Sequence, residues 1–305
     1  MLIRMIPFAF VVLWASGFVG ARYGLQYAEP ATLLLIRMTA NVALFALLVV
    51  FLRRRMPTGK GLFHSAVVGI LIHGFYLGGT YVAIDLGMPA GLSSLLVGTQ
   101  PILTAVVLVS FASTRFRVAQ WWGLGLGFLG ICLVLMGNIE WQSEQHKVSA
   151  VAFCVLALVG ITFGTLYQKR YCQNVDMVGG AMVQYFAAGL VMLPYALAFE
   201  TMEVTWTYQL VLTLFWLVVV LSCVAILLLL YMVKNGASAS VASVFYLVPP
   251  TTAIQAWLMF GESFDAIGMV GFVMAAAGVY LVVKKPSQSL EAGVKPLVRE
   301  TVKSQ

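Results

Sequence analysis

The sequence predicts an all-α integral membrane protein: ten transmembrane helices arranged as two five-helix inverted-topology repeats. Three observations predict it: an apolar composition, about ten successive apolar runs of membrane-spanning length, and a self-similarity at one constant offset along the chain. Of the 305 residues, 61% are hydrophobic and only 10% are charged, and the mean hydropathy is +0.96. Soluble domains carry roughly 25% charged residues. A helix needs about 20 apolar residues to cross a ~30 Å hydrocarbon core. Such runs lie near 4–22, 30–52, 62–84, 90–111, 119–137, 148–168, 178–199, 208–233, 237–260 and 265–283. Strands of a membrane barrel would be shorter and would alternate.

The first run, "MLIRMIPFAFVVLWASGFVGA", has the charged start, apolar middle and small-residue end of a signal peptide. The internal repeat requires it as a helix, so it is read as the first span. The second span carries Arg37, the third His73, the fourth Pro101, and the ninth the pair Pro249 and Pro250. The fifth contains "GLGLGFLG" and the tenth repeats small residues at Gly271, Ala275 and Gly278. Small faces of this kind let helices approach closely, within one chain or across a dimer contact. After Pro286 the apolar periodicity stops, and 286–305 reads as a disordered cytoplasmic tail. The expected organisation is a first repeat over 1–140, a second over 148–285, and that tail.

The net charge of +7 is a topology signal rather than a nucleic-acid signal. Basic residues lie at Arg4, at Arg53 to Arg55 with Lys60, at Arg115 and Arg117, at Lys169 and Arg170, at Lys234 and from Lys284 onward. All fall on one side if both termini are cytoplasmic, whereas the other side holds Lys147 with most of the acids. Cytoplasmic loops are the ones enriched in Lys and Arg, which orients both termini inward. Cys132, Cys154, Cys172 and Cys223 lack C-x-x-C spacing, so neither a disulfide framework nor a metal site is suggested.

Shifting the chain by 148 positions aligns Arg22-Tyr23 with Arg170-Tyr171, Pro101 with Pro249, Thr104 with Thr252, Gly123 with Gly271 and Gly130 with Gly278. Five spans are an odd number, so the second copy enters the membrane from the opposite side. Pro101 and Pro249-Pro250 then sit at equivalent positions, where an interior proline would cost a helix about 3 kcal/mol. Two readings explain them. Transporter repeats interrupt helices where they line a cavity. Packing kinks relieved by Thr99, Thr104, Thr251 or Thr252 bonding back to the main chain are the other.

The stretches "WASGFVGARYGL", "LLLIRMTANVALFALL", "AGLSSLLVGTQPILTAVV" and "GESF" followed by "GMVGFVMAAAGVYLV" resemble the drug/metabolite transporter superfamily, EamA-like branch, over roughly residues 5–285. The resemblance implies a ten-helix bundle that exports amino acids or other small metabolites through a central cavity. Gly261-Glu262 matches the family pattern after the ninth helix, but Ser113-Thr114 replaces Gly-Glu after the fourth. Functional symmetry between the two loops is therefore in question.

Polar groups at bilayer depth are the candidate site residues. His73 lies about ten residues into the third span, ~15 Å at 1.5 Å per residue. It either donates to a neighbouring carbonyl or contacts substrate or protons, with Tyr76 one turn on. Arg37, about 10 Å from the outer end of its span, either pairs with an anionic group of the substrate or snorkels toward Glu29. Arg22 and Arg170 read as interfacial anchors. Trp14, Ser16, Thr99, Gln100, Gln184, Tyr185, Tyr246 and Gln255 complete the candidate substrate contacts, and Pro101, Pro249 and Pro250 the helix-break or gating positions. Rings and amides together suit a small amphipathic solute.

No Asp or Glu falls mid-span, so proton coupling would have to use His73; otherwise exchange or facilitated diffusion is simpler. No G-x-x-x-x-G-K-[ST] loop is present for a nucleotide-driven pump. A membrane enzyme would need clustered nucleophiles, carboxylates or metal ligands at depth, which three scattered histidines do not supply. The expectation is a secondary transporter, not an enzyme and without a cofactor, exporting an amino acid or related amphipathic compound, with a channel-like facilitator as the alternative. Its expected partners are the bilayer, the small-molecule substrate and protons if His73 relays them. It would act as a monomer or weak homodimer in a bacterial inner membrane.

Overall fold

In the computed structural model the described residues are 2–112, 118–136, 146–225, 228, 245 and 247–283. They form α1 (Leu2–Gly24), α2 (Pro30–Phe51), α3 (Lys60–Asp85), α4 (Ala90–Gly98), α5 (Gln100–Ala112), α6 (Val118–Met136), α7 (Lys147–Tyr171), α8 (Met177–Phe199), α9 (Tyr208–Ala225), α10 (Val248–Phe260) and α11 (Ala266–Val283). With α4 and α5 read as one run, 8 of these segments are long and apolar enough to cross a membrane. α10, at 13 residues, and the apolar stretch of α11, Ala266–Val282, are shorter. The protein is a multi-pass, all-helical membrane protein. The end of the expected eighth span and the start of the ninth lie outside the described residues, as does Tyr246.

Helix starts are set by side chains that satisfy the first free N–H groups. Asp176 accepts from Val178 N and Gly179 N at the head of α8, both at 3.0 Å. Thr207 accepts from Leu210 N at the head of α9, and Asp265 from Gly268 N at the head of α11. α2 and α4 have no local side-chain cap; Pro30 opens α2, and Pro89 precedes α4. Both are closed from the far half of the chain. The Glu200 carboxylate accepts from Ala31 N and Thr32 N at 2.7 and 2.8 Å, and Glu262 accepts from Ala90 N and Gly91 N at 2.8 and 3.0 Å.

Glycines set the tightest helix pair, α6 against α11. A Cβ on Gly123 would lie 2.8 Å from Gly278 O, and one on Gly271 would lie 2.6 Å from Gly130 O. The backbones therefore touch, with no room for a side chain, as small-residue packing in lipid requires. These are contacts inside one chain, which is what the stripe serves. α3 approaches α8 in the same manner, since a Cβ on Gly69 would lie 2.7 Å from the Gln184 carbonyl carbon.

Among the described residues two helices widen into π-turns, α3 at Ile70–Tyr76 and α9 at Trp216–Ala225. Such turns are rare and occur often at functional sites. The first is wedged against α7, where a Cβ on Gly160 would lie 2.7 Å from Leu71 O and 2.9 Å from Tyr76 N.

Candidate functional site

Among the described residues the richest set of buried polar groups lies among α2, α3 and α8. Arg37 projects from α2 with 5% of its surface exposed, and its Nη1 donates to the Tyr81 hydroxyl of α3 at 2.9 Å. It makes no ion pair with Glu29, whose Oε2 instead accepts from Thr201 N and Oγ1, both at 2.7 Å, and from Met202 N. His73, in the π-turn, places its ring 4.4 Å from that of Tyr185 on α8. Arg37 is within electrostatic reach of His73, Tyr76 and Tyr185. The buried amide of Gln184 lies beside His73. Arg37 apart, however, the surroundings of His73 and Tyr76 differ. Tyr76 packs in the core common to α1 and α7, because the wide turn rotates it away from the face that His73 uses.

Several atoms here lack the partner that buried polar groups normally have. Arg37 Nε, both amide atoms of Asn41, Thr80 Oγ1 and His73 Nδ1 are buried with no hydrogen bond. Asn41 is one turn beyond Arg37 on α2. Among the described residues Arg37 also has no carboxylate within ion-pair distance.

The helix break in the fourth span falls at Thr99, between α4 and α5, one residue before the expected Gln100-Pro101 pair. Thr99 Oγ1 donates back to Leu96 O at 2.6 Å, and Gln100 Nε2 donates to Thr165 Oγ1 of α7 at 2.9 Å. The break and the main-chain relief thus coexist. Pro249 and Pro250 lie in the first turn of α10, which starts at Val248. A proline there removes N–H groups that are unpaired anyway, so neither is a mid-helix defect. The two proline regions meet, since a Cβ on Gly98 would lie 2.7 Å from Pro249 Cγ. An apolar void lined by Leu95, Gly98, Pro249, Ala276 and Val279 sits beside this contact, away from Arg37.

Other expected residues gather along α1. Trp14 packs edge-on against Phe245 at 5.6 Å, Ser16 Oγ accepts from Trp216 Nε1 at 2.8 Å, and Gln255 Nε2 donates to Val12 O at 3.0 Å. The sequence reading missed Asn41, Thr80, Tyr81 and Trp216. An available signal was the spacing of Asn41 one turn from Arg37 at bilayer depth.

One end of the bundle holds an ion pair that the sequence reading also missed. Arg22, at the close of α1, pairs with Glu262 and lies over the Phe260 ring at 4.5 Å. It is tied to protein rather than free in the headgroups.

The profile of the EamA-like transporter family matches residues 4–136 and 148–284. The chain belongs to that family. Among its relatives, the inner membrane transporter YedA of Escherichia coli K12 is 25% identical over 292 residues, covering 92% of each chain. A protein of Salmonella typhimurium named as a probable amino-acid metabolite efflux pump is 23% identical, covering 89% of this chain and 91% of its own. A solved crystal structure superposes with a TM-score of 0.61 at 15% identity, over 91% of this chain and 94% of that one, which shows a shared fold. This EamA-family chain thus carries its buried Arg37–His73 cluster on helices long and apolar enough to cross a membrane.

Proposed function

We propose that this EamA-family protein is a secondary carrier that exports an amino acid or a related amphipathic metabolite by alternating access. The observation that carries the reading is the buried polar cluster around Arg37 and His73, inside a transporter-family bundle. Polar and charged side chains at that depth are expensive and mark solute pathways. A ten-helix arrangement in two inverted halves, rocking about a midplane site, supplies the motion. Paired contacts support those halves: Gly123 against Gly278 and Gly271 against Gly130 exchange under the 148-residue offset, and the π-turns of α3 and α9 overlap under it. The efflux pump named above, similar over most of its length, supports the direction and the solute class. The inward placement of both termini rests on the one-sided Lys and Arg loops.

Counterflow in proteoliposomes tests this. Vesicles preloaded with a mixture of unlabelled amino acids should accumulate a labelled one transiently and saturably, and Gln100→Ala, which frees Thr165, should slow exchange. Flux that rises without saturation and without counter-exchange would favour the channel-like alternative.

A further inference from the structure

We propose that Arg37 and the unpartnered polar atoms near it form the receptor for a carboxylate group of the transported solute. The inference deepens the carrier reading and rests on it. A guanidinium buried to 5% exposure, with a neutral tyrosine as its hydrogen-bond partner and no acid in ion-pair range among the described residues, is a charge without a counter-ion. Removing a charge from water is strongly unfavourable unless an opposite charge meets it. The natural alternative, Glu29, is held by Thr201 and Met202 at the bundle end.

The free donors suit a carboxylate. Arg37 Nε–H is unused, and one turn further along α2 the Asn41 amide has both its N–H₂ and its oxygen unused. Two oxygens of one planar anion could take the first two, and the Asn41 oxygen remains to accept from a neighbouring ammonium. A single cation matches a monoanion; a phosphate ester, carrying more charge, would call for several basic side chains. His73 Nδ1 and Thr80 Oγ1 are further unpartnered atoms on the α3 side.

The test reads binding rather than flux. Thermal unfolding of the purified full-length protein in detergent is followed with L-phenylalanine or L-leucine, each against its carboxamide and its decarboxylated amine. The free amino acid of at least one pair should raise the midpoint, while its amide and amine need about tenfold more for the same shift or give none. Arg37→Gln should erase the difference between acid and amide, and Arg37→Lys should restore part of it. Should Arg37→Gln fail to fold, Asn41→Leu serves instead and should shrink the same difference. Equal shifts from acid and amide, no shift from either acid, or a difference that survives in the variant overturns the proposal. A purely structural Arg37 would lower the midpoint without ligand and leave the acid-specific shift intact. Carboxylate-dependent binding without counterflow would sink the carrier reading alone; saturable counterflow that ignores the carboxylate would sink this one alone.

Discussion

The two ends of the bundle are built differently, although the 148-residue offset relates them. At one end Arg22 closes α1, and Glu262 bonds it while also capping α4 through Ala90 N and Gly91 N. At the other end the equivalent arginine is Arg170, but the residue equivalent to Glu262 is Thr114. Arg170 is exposed, has no acid in ion-pair range among the described residues, and lies 5.4 Å from the Tyr171 ring centroid. That end instead carries Arg54 3.7 Å from Asp176, with half of the Arg54 side chain in solvent. One carboxylate therefore ties three elements of the chain at the first end, and at the second end the sequence has no carboxylate at the equivalent position. A carrier that alternates must part each end in turn. Under the proposed alternating access, the two ends would therefore resist parting unequally, the Glu262 end more strongly.

Removing Glu262 should have the largest effect. Its side chain is 6% exposed and that of Arg22 19%, so Glu262→Ala leaves a half-buried guanidinium and two helix N–H groups without an acceptor. Breaking a buried pair from one side costs about 3 kcal/mol, and the α4 cap adds about 1. A clear fall in the thermal midpoint of purified protein is expected, with Glu262→Gln intermediate because an amide oxygen can still accept from the helix. A midpoint that does not move would mean that the pair contributes nothing to this end.

Helix positions were legible and long-range partners were not. The expected spans 62–84 and 178–199 correspond to Lys60–Asp85 and Met177–Phe199, because the step from apolar to polar sequence follows the edge of the hydrocarbon core. The glycine stripes were legible for the same local reason. Arg22 read as a headgroup anchor because its partner is 240 residues away, and Glu200 gave no sign that it caps α2 from 168 residues further on. Asn41 and Thr80 are uncharged, and one-dimensional spacing does not reveal that they lack partners. The wide turn at Ile70–Tyr76 was also invisible, since hydropathy has the same profile whether a helix is α or π.

A smaller effect belongs to Gly261, which releases Glu262 from the helix. It is the C-cap of α10 with φ 69°, a left-handed conformation that glycine adopts freely. No atom lies within 4 Å of where its Cβ would be, so Gly261→Ala adds no clash and isolates the backbone term. The expected loss is about 1 kcal/mol, a modest drop in midpoint beside that of Glu262→Ala. A drop as large as the carboxylate variant's would show that the turn, through the aim of Glu262, governs the whole tie. Ser113 stands at the equivalent position of the other half, so no glycine offers that turn there.

The smallest effect should come from Arg170→Ala, and that is what makes it the sharpest control. Arg22 and Arg170 are each followed by a tyrosine and each close a helix, so sequence alone treats them as equals. An exposed guanidinium whose recorded contact is a ring 5.4 Å away contributes about 0.5 kcal/mol. Its loss should leave the midpoint almost unmoved, while Arg22→Ala, which strands the buried Glu262, should approach the cost of Glu262→Ala. Equal effects from the two arginines would erase the asymmetry between the ends. Unequal ones would place the more strongly held end where the carboxylate is.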